Sequence, residues 1–440
     1  MIHVEAATAQ YLPGGISDPV TGRWRPQFSP EFRLLLLCVE PRPNEAVEHE
    51  VARLLESNLV WRRFLFLAAK NQVVPLVYAR LNASAKRVPQ SVMAILRRRC
   101  MSIASWNLFL ASELNLLLGL FKEHEICAIP FKGPPLAISL YGDLSLRQGD
   151  DLDIFIPLTK LDRAIELMQS CGYRLADHFT GIGAKELGAS FKDAMLENAA
   201  TGLCVELHWA ISEPAFHNKL RDFNPCGRKI GAMKLLDAVV PIASVEDTLF
   251  LLATHGIRHY WNRLKWICDI VQLRRVHLKL DWDAALATAD TFSCRRAFLI
   301  PFLLARDLLG VSLPAPLVAP AQHCLKARAL LDRISVDLGA DMETPLWPQR
   351  GPLFRQFAEI DISQKIFRVR SKDSLAERWT LFSKFIGDFI RPDPADLLAR
   401  PFLSKLTFVF WIIQPLRIAR GCGLRFFLRA SRQLLAALVQ

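Results

Sequence analysis

The spacing of apolar residues changes twice along the chain, and these changes constrain the fold more than any other sequence feature. From residue 29 to 125 the apolar residues recur at the spacing of one helix face. Between residues 126 and 240 they form short runs typical of strands, and from residue 241 the helical spacing returns. The sequence therefore predicts an α+β fold, in which a small mixed sheet is flanked by N-terminal and C-terminal helical regions.

The same changes set the predicted domain limits within the 440 residues. Domains of about 150 residues are usual, so about two or three are expected. The predicted regions are a flexible leader (1–28), an N-terminal helical region (29–125), the sheet-containing core (126–240), a helical region lining a cleft (241–335) and a basic C-terminal helical region (336–440).

Composition limits the environment and the partners. Ten cysteines occur without a C-x-x-C pair, and the opening "MIHVEAATAQ" lacks the pattern of a signal peptide. The longest apolar runs are shorter than the roughly 18 residues of a membrane-spanning helix. These features predict a reduced, cytoplasmic protein without a spanning segment. A formal charge of +12 favours polyanions such as nucleotides, nucleic acid or an acidic membrane surface, without choosing among them.

A strand, a tight turn and a helix are predicted where the core begins. The run "ICAIPF" is followed by Lys132, Gly133 and two prolines suited to the first turn of a helix. Gly133 allows close backbone approach, the helix N-terminus offers positive potential, and Lys132 supplies a cation, so the turn suits a phosphate. The alternative is that Gly133 only permits the turn.

Two aspartates precede the next apolar run, in "DDLDIFIP". Asp151 and Asp153 are two positions apart on a predicted strand, so both side chains project from one face. Neighbouring carboxylates repel each other, and their oxygens suit Mg²⁺. The alternative is a pair of solvated acids at a strand entrance.

A predicted hairpin supplies a third acid. The segments "SFKDAMLEN" and "LCVELHWAI" flank a short loop, and alternation along the second places Glu206 and His208 on one face. Antiparallel pairing of this strand with its neighbours is expected to bring Glu206 beside the aspartates. Three carboxylates on one sheet face are unfavourable without a metal ion. Elsewhere, Thr159 with Asp162 and Ser244 with Asp247 form predicted capping boxes.

The segments "FKGPPLAISLYGDLSLRQGDDLDIF", "VELHW" and "HGIRHYWNRLKWICDIVQL" together resemble the bacterial family of uncharacterised nucleotidyltransferases, within the polymerase-beta-like superfamily. The resemblance covers most of the chain. It implies an enzyme that moves a nucleoside monophosphate from an NTP to a hydroxyl acceptor, with Mg²⁺ held by Asp151 and Asp153. Glu206 matches the third acid, which binds the catalytic metal and helps deprotonate the acceptor. The superfamily more often has Asp there, and Gly-Gly or Gly-Ser in place of Lys132-Gly133.

Further residues, including His208, are predicted to bind substrate. Arg147 is expected either to clamp phosphate or to pair with the acids. His255 and His259, four apart on a helix, suit a polar network or a cleft wall better than a zinc site, because further ligands are missing. The resemblance implies that Arg263, Lys265 and Asp269 line the cleft. Packing roles are expected for Tyr141, Trp261 and Trp266.

After Asp396 the sequence contains basic but no acidic residues. This segment suits an acidic membrane surface at the inner face, contact with nucleic acid, or helices packed on the protein with arginines toward solvent.

The sequence as a whole leaves two functions open. The first is the Mg²⁺-dependent transferase, and the second is a catalytically idle nucleotide-binding or scaffolding protein of envelope or polysaccharide machinery. The acceptor, the preferred NTP and the oligomeric state do not follow from the sequence.

Overall fold

The computed structural model describes residues 28–40, 44–212, 222–322, 328–340, 369–371 and 375–390. The predicted flexible leader lies outside these residues, except for Phe28. Most of the predicted basic C-terminal region also lies outside them, including everything after residue 390. Those two predictions stay as they are.

Fifteen α-helices and seven strands form the described part of the chain, which confirms the predicted α+β class. The helices are α1 Pro30–Cys38, α2 Glu45–Leu55, α3 Trp61–Lys70, α4 Val74–Asn82, α5 Gln90–Glu123, α6 Gly133–Tyr141, α7 Leu161–Ser170, α8 Ala184–Ser190, α9 Val245–Arg258, α10 Leu264–Val276, α11 Trp282–Thr291, α12 Arg295–Leu309, α13 Ala315–Gln322, α14 Arg328–Gly339 and α15 Leu375–Ile390. The strands are β1 Ile129–Pro130, β2 Leu152–Phe155, β3 Tyr173–Leu175, β4 Asp193–Asn198, β5 Cys204–His208, β6 Ile230–Leu235 and β7 Ala238–Ala243.

Five strands form a mixed sheet in the order β1-β2-β5-β4-β3, and β6 and β7 form a separate antiparallel pair. The predicted hairpin is confirmed, because β4 and β5 pair antiparallel. The expected antiparallel pairing between β5 and the aspartate strand is wrong, because β2 and β5 run parallel. A parallel neighbour requires a crossover connection, and here α7, β3, α8 and β4 lie between the two strands in sequence.

The two faces of the sheet have different composition. Alternation along β2, β5 and β4 directs a continuous apolar set toward one side, which forms a core with α5 and α7. That set consists of Leu152, Ile154, Ala194, Leu196, Val205 and Leu207. The opposite face carries Asp153, Glu206 and His208. One apolar face is therefore enough to fix the register, and the other face is free to carry polar groups.

Helix starts show which local predictions hold. Ser244 caps α9 by accepting a hydrogen bond from the Asp247 backbone, as predicted, although the Asp247 carboxylate accepts from Arg228 instead of returning the bond. The prediction that Thr159 caps α7 is wrong. Residues Leu158–Lys160 form a 3₁₀ turn, and α7 begins after Lys160 without a side-chain cap.

Helix α5 spans 34 residues and is long and apolar enough, by length and composition alone, to cross a membrane. The argument from uninterrupted apolar runs overlooked this helix because polar residues such as Ser105, Asn107 and Glu113 divide its apolar sequence. Only a third of its most apolar window is buried, yet Leu110, Leu114 and Phe121 are fully buried in the core beneath the sheet. A helix of a folded core passes the same test, so the observation is weak evidence for a membrane span.

Candidate functional site

The turn before α6 has the conformation that the sequence predicted. Gly133 adopts a φ of +65°, and prolines occupy the first turn of the helix. A Cβ at Gly133 would make only ordinary contacts, 3.7 Å from the Asp151 carbonyl oxygen. The left-handed backbone, and not a lack of space, therefore requires glycine here. The turn brings Lys132 and the start of α6 directly beside the aspartate strand.

Strand register assembles the acidic cluster. Asp153 and Glu206 are Cα partners across the parallel β2–β5 pair, and His208 follows Glu206 on the same face. His208 Nε2 lies 2.9 Å from Asp153 Oδ1 and 3.2 Å from Glu206 Oε2. A carboxylate oxygen from each acid and an imidazole nitrogen all lie within 4.8 Å of one another. This spacing suits a shared metal ion.

The negative charge of Asp153 is compensated by a lysine and a hydrogen bond, although the residue is only 2% exposed. Lys132 Nζ lies 2.8 Å from Asp153 Oδ2. Burial by itself would raise the pKa of Asp153, but Lys132 and the hydrogen bond from His208 hold it far below its usual range. The hydrogen bond from His208 likewise lowers the pKa of Glu206, against the effect of burial and of the nearby Asp153 charge.

Among the carboxylates of Asp151, Asp153 and Glu206, that of Asp151 has its negative charge least compensated. It precedes β2, is partly buried and lines the cavity. Burial, and then the negative charge of Asp153, raise the pKa of Asp151 to about 6, and Lys132 opposes them only in part. Glu206 adds further repulsion. A divalent cation would offset this excess of negative charge, so the residues present fit a metal ion.

A cavity of about 670 Å³ opens in front of the cluster, within the size range of small-molecule sites. One wall comes from the sheet and the turn before α6, and we call it the sheet wall. It includes Lys132, Gly133, Asp150, Asp151, Asp193 and Glu206. The other wall comes from α9, α10 and their connection, and we call it the helical wall. It includes His255, Arg258, His259, Arg263, Lys265 and Trp266.

Two histidines and a tryptophan are in contact in the helical wall. The ring centroids of His255 and His259 lie 4.4 Å apart, and both rings lie within 5.4 Å of the Trp266 ring. Burial, and then the charge of Lys132, lower the pKa of His255 well below its usual value. Neither histidine belongs to a group of ligands that could hold a metal among the described residues. The structure thus places them in a cleft wall and gives no support to a zinc site.

Arg147 does not pair with Asp151 or Asp153, which was one of the two alternatives expected from the sequence. It forms a bidentate pair with Asp269 of α10, with Nε and Nη2 each 2.9 Å from a carboxylate oxygen. Both side chains are nearly fully buried, and Tyr141 donates a hydrogen bond to the same carboxylate. Asn107 of α5 donates to the Arg147 carbonyl and accepts from Gly149. The loop leading to the aspartates is therefore held from two sides.

The connection between α9 and α10 has unusual backbone geometry. Tyr260 and Trp261 both have positive φ, which is uncommon for bulky residues. The Trp261 indole is fully buried against Gly256, where a Cβ would lie 2.3 Å from the ring. The predicted packing role of Trp261 is thus confirmed. Trp266 is also buried, and Tyr141 packs on the core.

Sequence reasoning missed two acids of this site. Asp193 is the cross-strand partner of His208, and counting through the hairpin register could have found it. Asp150, next to the predicted pair, accepts hydrogen bonds from Gln72 and Gln148 and lies 3.9 Å from Lys265. Its carboxylate thus faces the loop and the helical region, away from Asp153. No local sequence signal distinguishes it from its neighbour.

Comparisons with known proteins agree with this geometry. The family model described as "Uncharacterised nucleotidyltransferase" matches residues 57–310, more than half of the chain. The matched range contains the whole cavity, from Gln72 to Trp266. No curated protein and no solved structure matches the chain. With its strand register, its acidic cluster and this match, the chain belongs to the family of uncharacterised nucleotidyltransferases.

Proposed function

We propose that the protein is a Mg²⁺-dependent nucleotidyltransferase that moves a nucleoside monophosphate from an NTP to a hydroxyl acceptor. One observation carries this proposal. Asp151 and Glu206 line a cavity whose opposite wall is rich in cations, and the buried Asp153 lies directly beside Glu206 in the sheet. A nucleoside triphosphate needs metal ligands and positive charge in the same cleft. The family match supports the same reaction class.

The carboxylates have separate roles in this proposal. Asp151 and Asp153 would hold the ion, which when bound would offset the charge of the triphosphate and polarise the α-phosphate. Glu206, whose side chain is 29% exposed, faces the cavity and accepts the proton of the acceptor hydroxyl. The acceptor oxygen forms a bond to the α-phosphorus, the bond to the leaving oxygen breaks, and pyrophosphate departs.

The turn before α6 and the helical wall would bind the substrate. Gly133 and the start of α6 present backbone N–H groups and positive potential to the phosphates. Lys132, now paired with Asp153, is within reach of the same region. His255 and His259 are proposed to contact the rest of the nucleotide. Because Arg147 is buried against Asp269, we assign it a supporting role and no direct phosphate contact.

The alternative is a catalytically idle binding or scaffolding protein. The Lys132–Asp153 pair favours it, because a lysine already neutralises the central carboxylate. The transferase is favoured by Asp151, because Lys132 compensates its negative charge only in part and a bound cation would offset the remainder.

Calorimetry of NTP binding with and without Mg²⁺ separates the two functions. The transferase proposal expects Mg²⁺-dependent binding that is lost when Asp151 and Asp153 are both changed to Ala. Glu197→Ala, an exposed acid on β4 outside the cavity, is the matched control. Incubation with NTPs labelled at the α-phosphate and a cell extract then identifies the acceptor. NTP affinity that does not depend on Mg²⁺, or NTP binding without transfer of label to any component, would favour the catalytically idle binding protein.

A further inference from the structure

The imidazole of His208 is, like the Asp153 carboxylate, almost completely buried. Its Nε2 points between the carboxylates of Asp153 and Glu206, at 2.9 and 3.2 Å. Carboxylates only accept hydrogen bonds, so in the protein without an ion Nε2 carries a proton. The same atom occupies a third corner of the only metal-sized group of ligands among the described residues. His208 therefore lies where a ligand would lie, and not where a substrate would contact it.

A second carboxylate lies on the other side of the ring. His208 Nδ1 is 3.5 Å from Asp193 Oδ2, and Asp193 is held in turn by an ion pair with Lys192. Histidines that bind metals usually direct their other ring N–H to a carboxylate, which fixes the tautomer and the ring orientation. With the proton on Nδ1 facing Asp193, the Nε2 lone pair would face Asp153 and Glu206. The hairpin register builds this arrangement, because Asp193 and His208 are Cα partners.

We infer that His208 Nε2 is a ligand of the ion, together with Asp153 and Glu206, and that Asp193 orients the ring. This inference rests on the proposed function, which supplies the need for an ion. Imidazole nitrogen is a common ligand of transition metals, whereas Mg²⁺ prefers oxygen. The site consequently binds Mn²⁺ more tightly, relative to Mg²⁺, than three carboxylates would. Asp151, which the proposed function also assigns to the ion, would reach it from the cavity surface.

Pulsed electron paramagnetic resonance on the full-length protein loaded with MnCl₂ tests this directly. A directly bound imidazole gives nitrogen coupling to Mn²⁺, and labelling the histidines with ¹⁵N changes that coupling. We expect the coupling in the unmodified protein, so the result does not depend on a variant that folds. Absence of Mn²⁺ binding, or binding without nitrogen coupling, overturns the inference.

Three variants assign the nitrogen to one residue. His208→Gln places an amide near the Nε2 position, and we expect it to lose the coupling and to weaken Mn²⁺ binding at least about tenfold, with a smaller loss for Mg²⁺. Asp193→Asn should keep the coupling and weaken Mn²⁺ binding about tenfold, because the imidazole ring loses the carboxylate that orients it. His49→Gln, at an exposed histidine of α2 outside the cavity, is the control and should change neither. Coupling that persists in a folded His208→Gln variant overturns the assignment.

These outcomes are separate from those of the transferase. Mn²⁺ with nitrogen coupling but without NTP binding would contradict the proposed function and leave the His208 assignment standing. Metal-dependent transfer without nitrogen coupling would support the proposed function and contradict the His208 assignment.

Discussion

The two walls of the cavity carry opposite charge and use it differently. On the helical wall the cations have structural partners: Lys265 Nζ donates to the Gln148 carbonyl, and Arg263 donates to the Lys70 carbonyl. On the sheet wall Asp151 keeps a raised pKa because repulsion and burial outweigh Lys132. The helical wall thus uses its charge to hold regions together, whereas the sheet wall leaves charge for an ion to offset. Changes on the sheet wall should therefore alter chemistry, and changes behind the helical wall should alter stability.

The largest effect is expected at Glu206. Glu206→Gln keeps the side-chain volume but removes the proton acceptor, so we expect kcat to fall by about 10²- to 10⁴-fold. NTP binding should change little, since Asp151 and Asp153 remain. Steady-state kinetics and calorimetry on the same preparation measure both quantities, with Glu197→Gln as the matched control. A kcat close to that of the wild type would refute the role of Glu206.

The next effect concerns stability behind the helical wall. Asp269→Asn leaves the Arg147 guanidinium buried without a counter-ion, so we expect a loss of about 3–5 kcal/mol in the free energy of unfolding. Glu166→Gln, which breaks an exposed pair with Arg163, is the control and should cost less than about 1 kcal/mol. Denaturant titration measures both. Equal losses in the two variants would show that the buried pair does not hold the aspartate loop.

The two aspartates should respond in opposite directions in the metal-free protein. From the sequence alone, neutralising Asp153 relieves repulsion and should raise stability. The structure reverses this expectation, because Asp153→Asn leaves Lys132 without its carboxylate, and we expect a loss of about 1–3 kcal/mol. Asp151→Asn removes a charge that burial and Asp153 disfavour, so it should raise the free energy of unfolding at neutral pH by about 1–3 kcal/mol.

The pH dependence of the free energy of unfolding tests the raised pKa of Asp151. Its pKa rises from 3.8 to about 6 on folding, so the folded state holds a proton that the unfolded state has lost between these values. The contribution of Asp151 to stability is therefore fully present below pH 3.8 and is lost as the pH rises through 6. In thermal melts from pH 4 to 7, the decrease of stability with rising pH should be smaller in Asp151→Asn than in the wild type. An unchanged slope would contradict the raised pKa.

The smallest effect is expected at Lys265. Burial, and then the charge of Arg147, lower the pKa of Lys265 to about 8, against the attraction of Asp150 and Asp269. The positive charge is therefore present below this pH and is lost as the pH rises through it. We expect NTP affinity to fall about two- to fivefold from pH 7 to 9, and Lys265→Met to remove that change. Calorimetry at both pH values decides, and an identical pH dependence in the variant would exclude Lys265 as its cause.

Local rules predicted part of this site well. Two-residue alternation placed Glu206 and His208 on one face, and the turn required Gly133. The parallel β2–β5 register could not be predicted, because about fifty residues separate the strands and no local signal specifies the crossover. The Arg147–Asp269 pair could not be predicted for the same reason, because its residues are 122 positions apart in sequence. Thr159 failed as a cap because a 3₁₀ turn precedes α7. Local pattern identifies side chains and their faces, whereas long-range pairing decides their partners.

The parallel register also has a consequence for biosynthesis. Asp151 and Asp153 leave the ribosome well before Glu206 and His208, because the crossover elements are synthesised between them. A nascent chain that ends before β5 lacks the parallel neighbour of β2 and two of the proposed ligands. Since N-terminal parts of a chain begin folding first, the ion cannot act as an early nucleus for this core. Metal supply during translation should therefore leave folding yield unchanged, and loading should follow completion of the sheet.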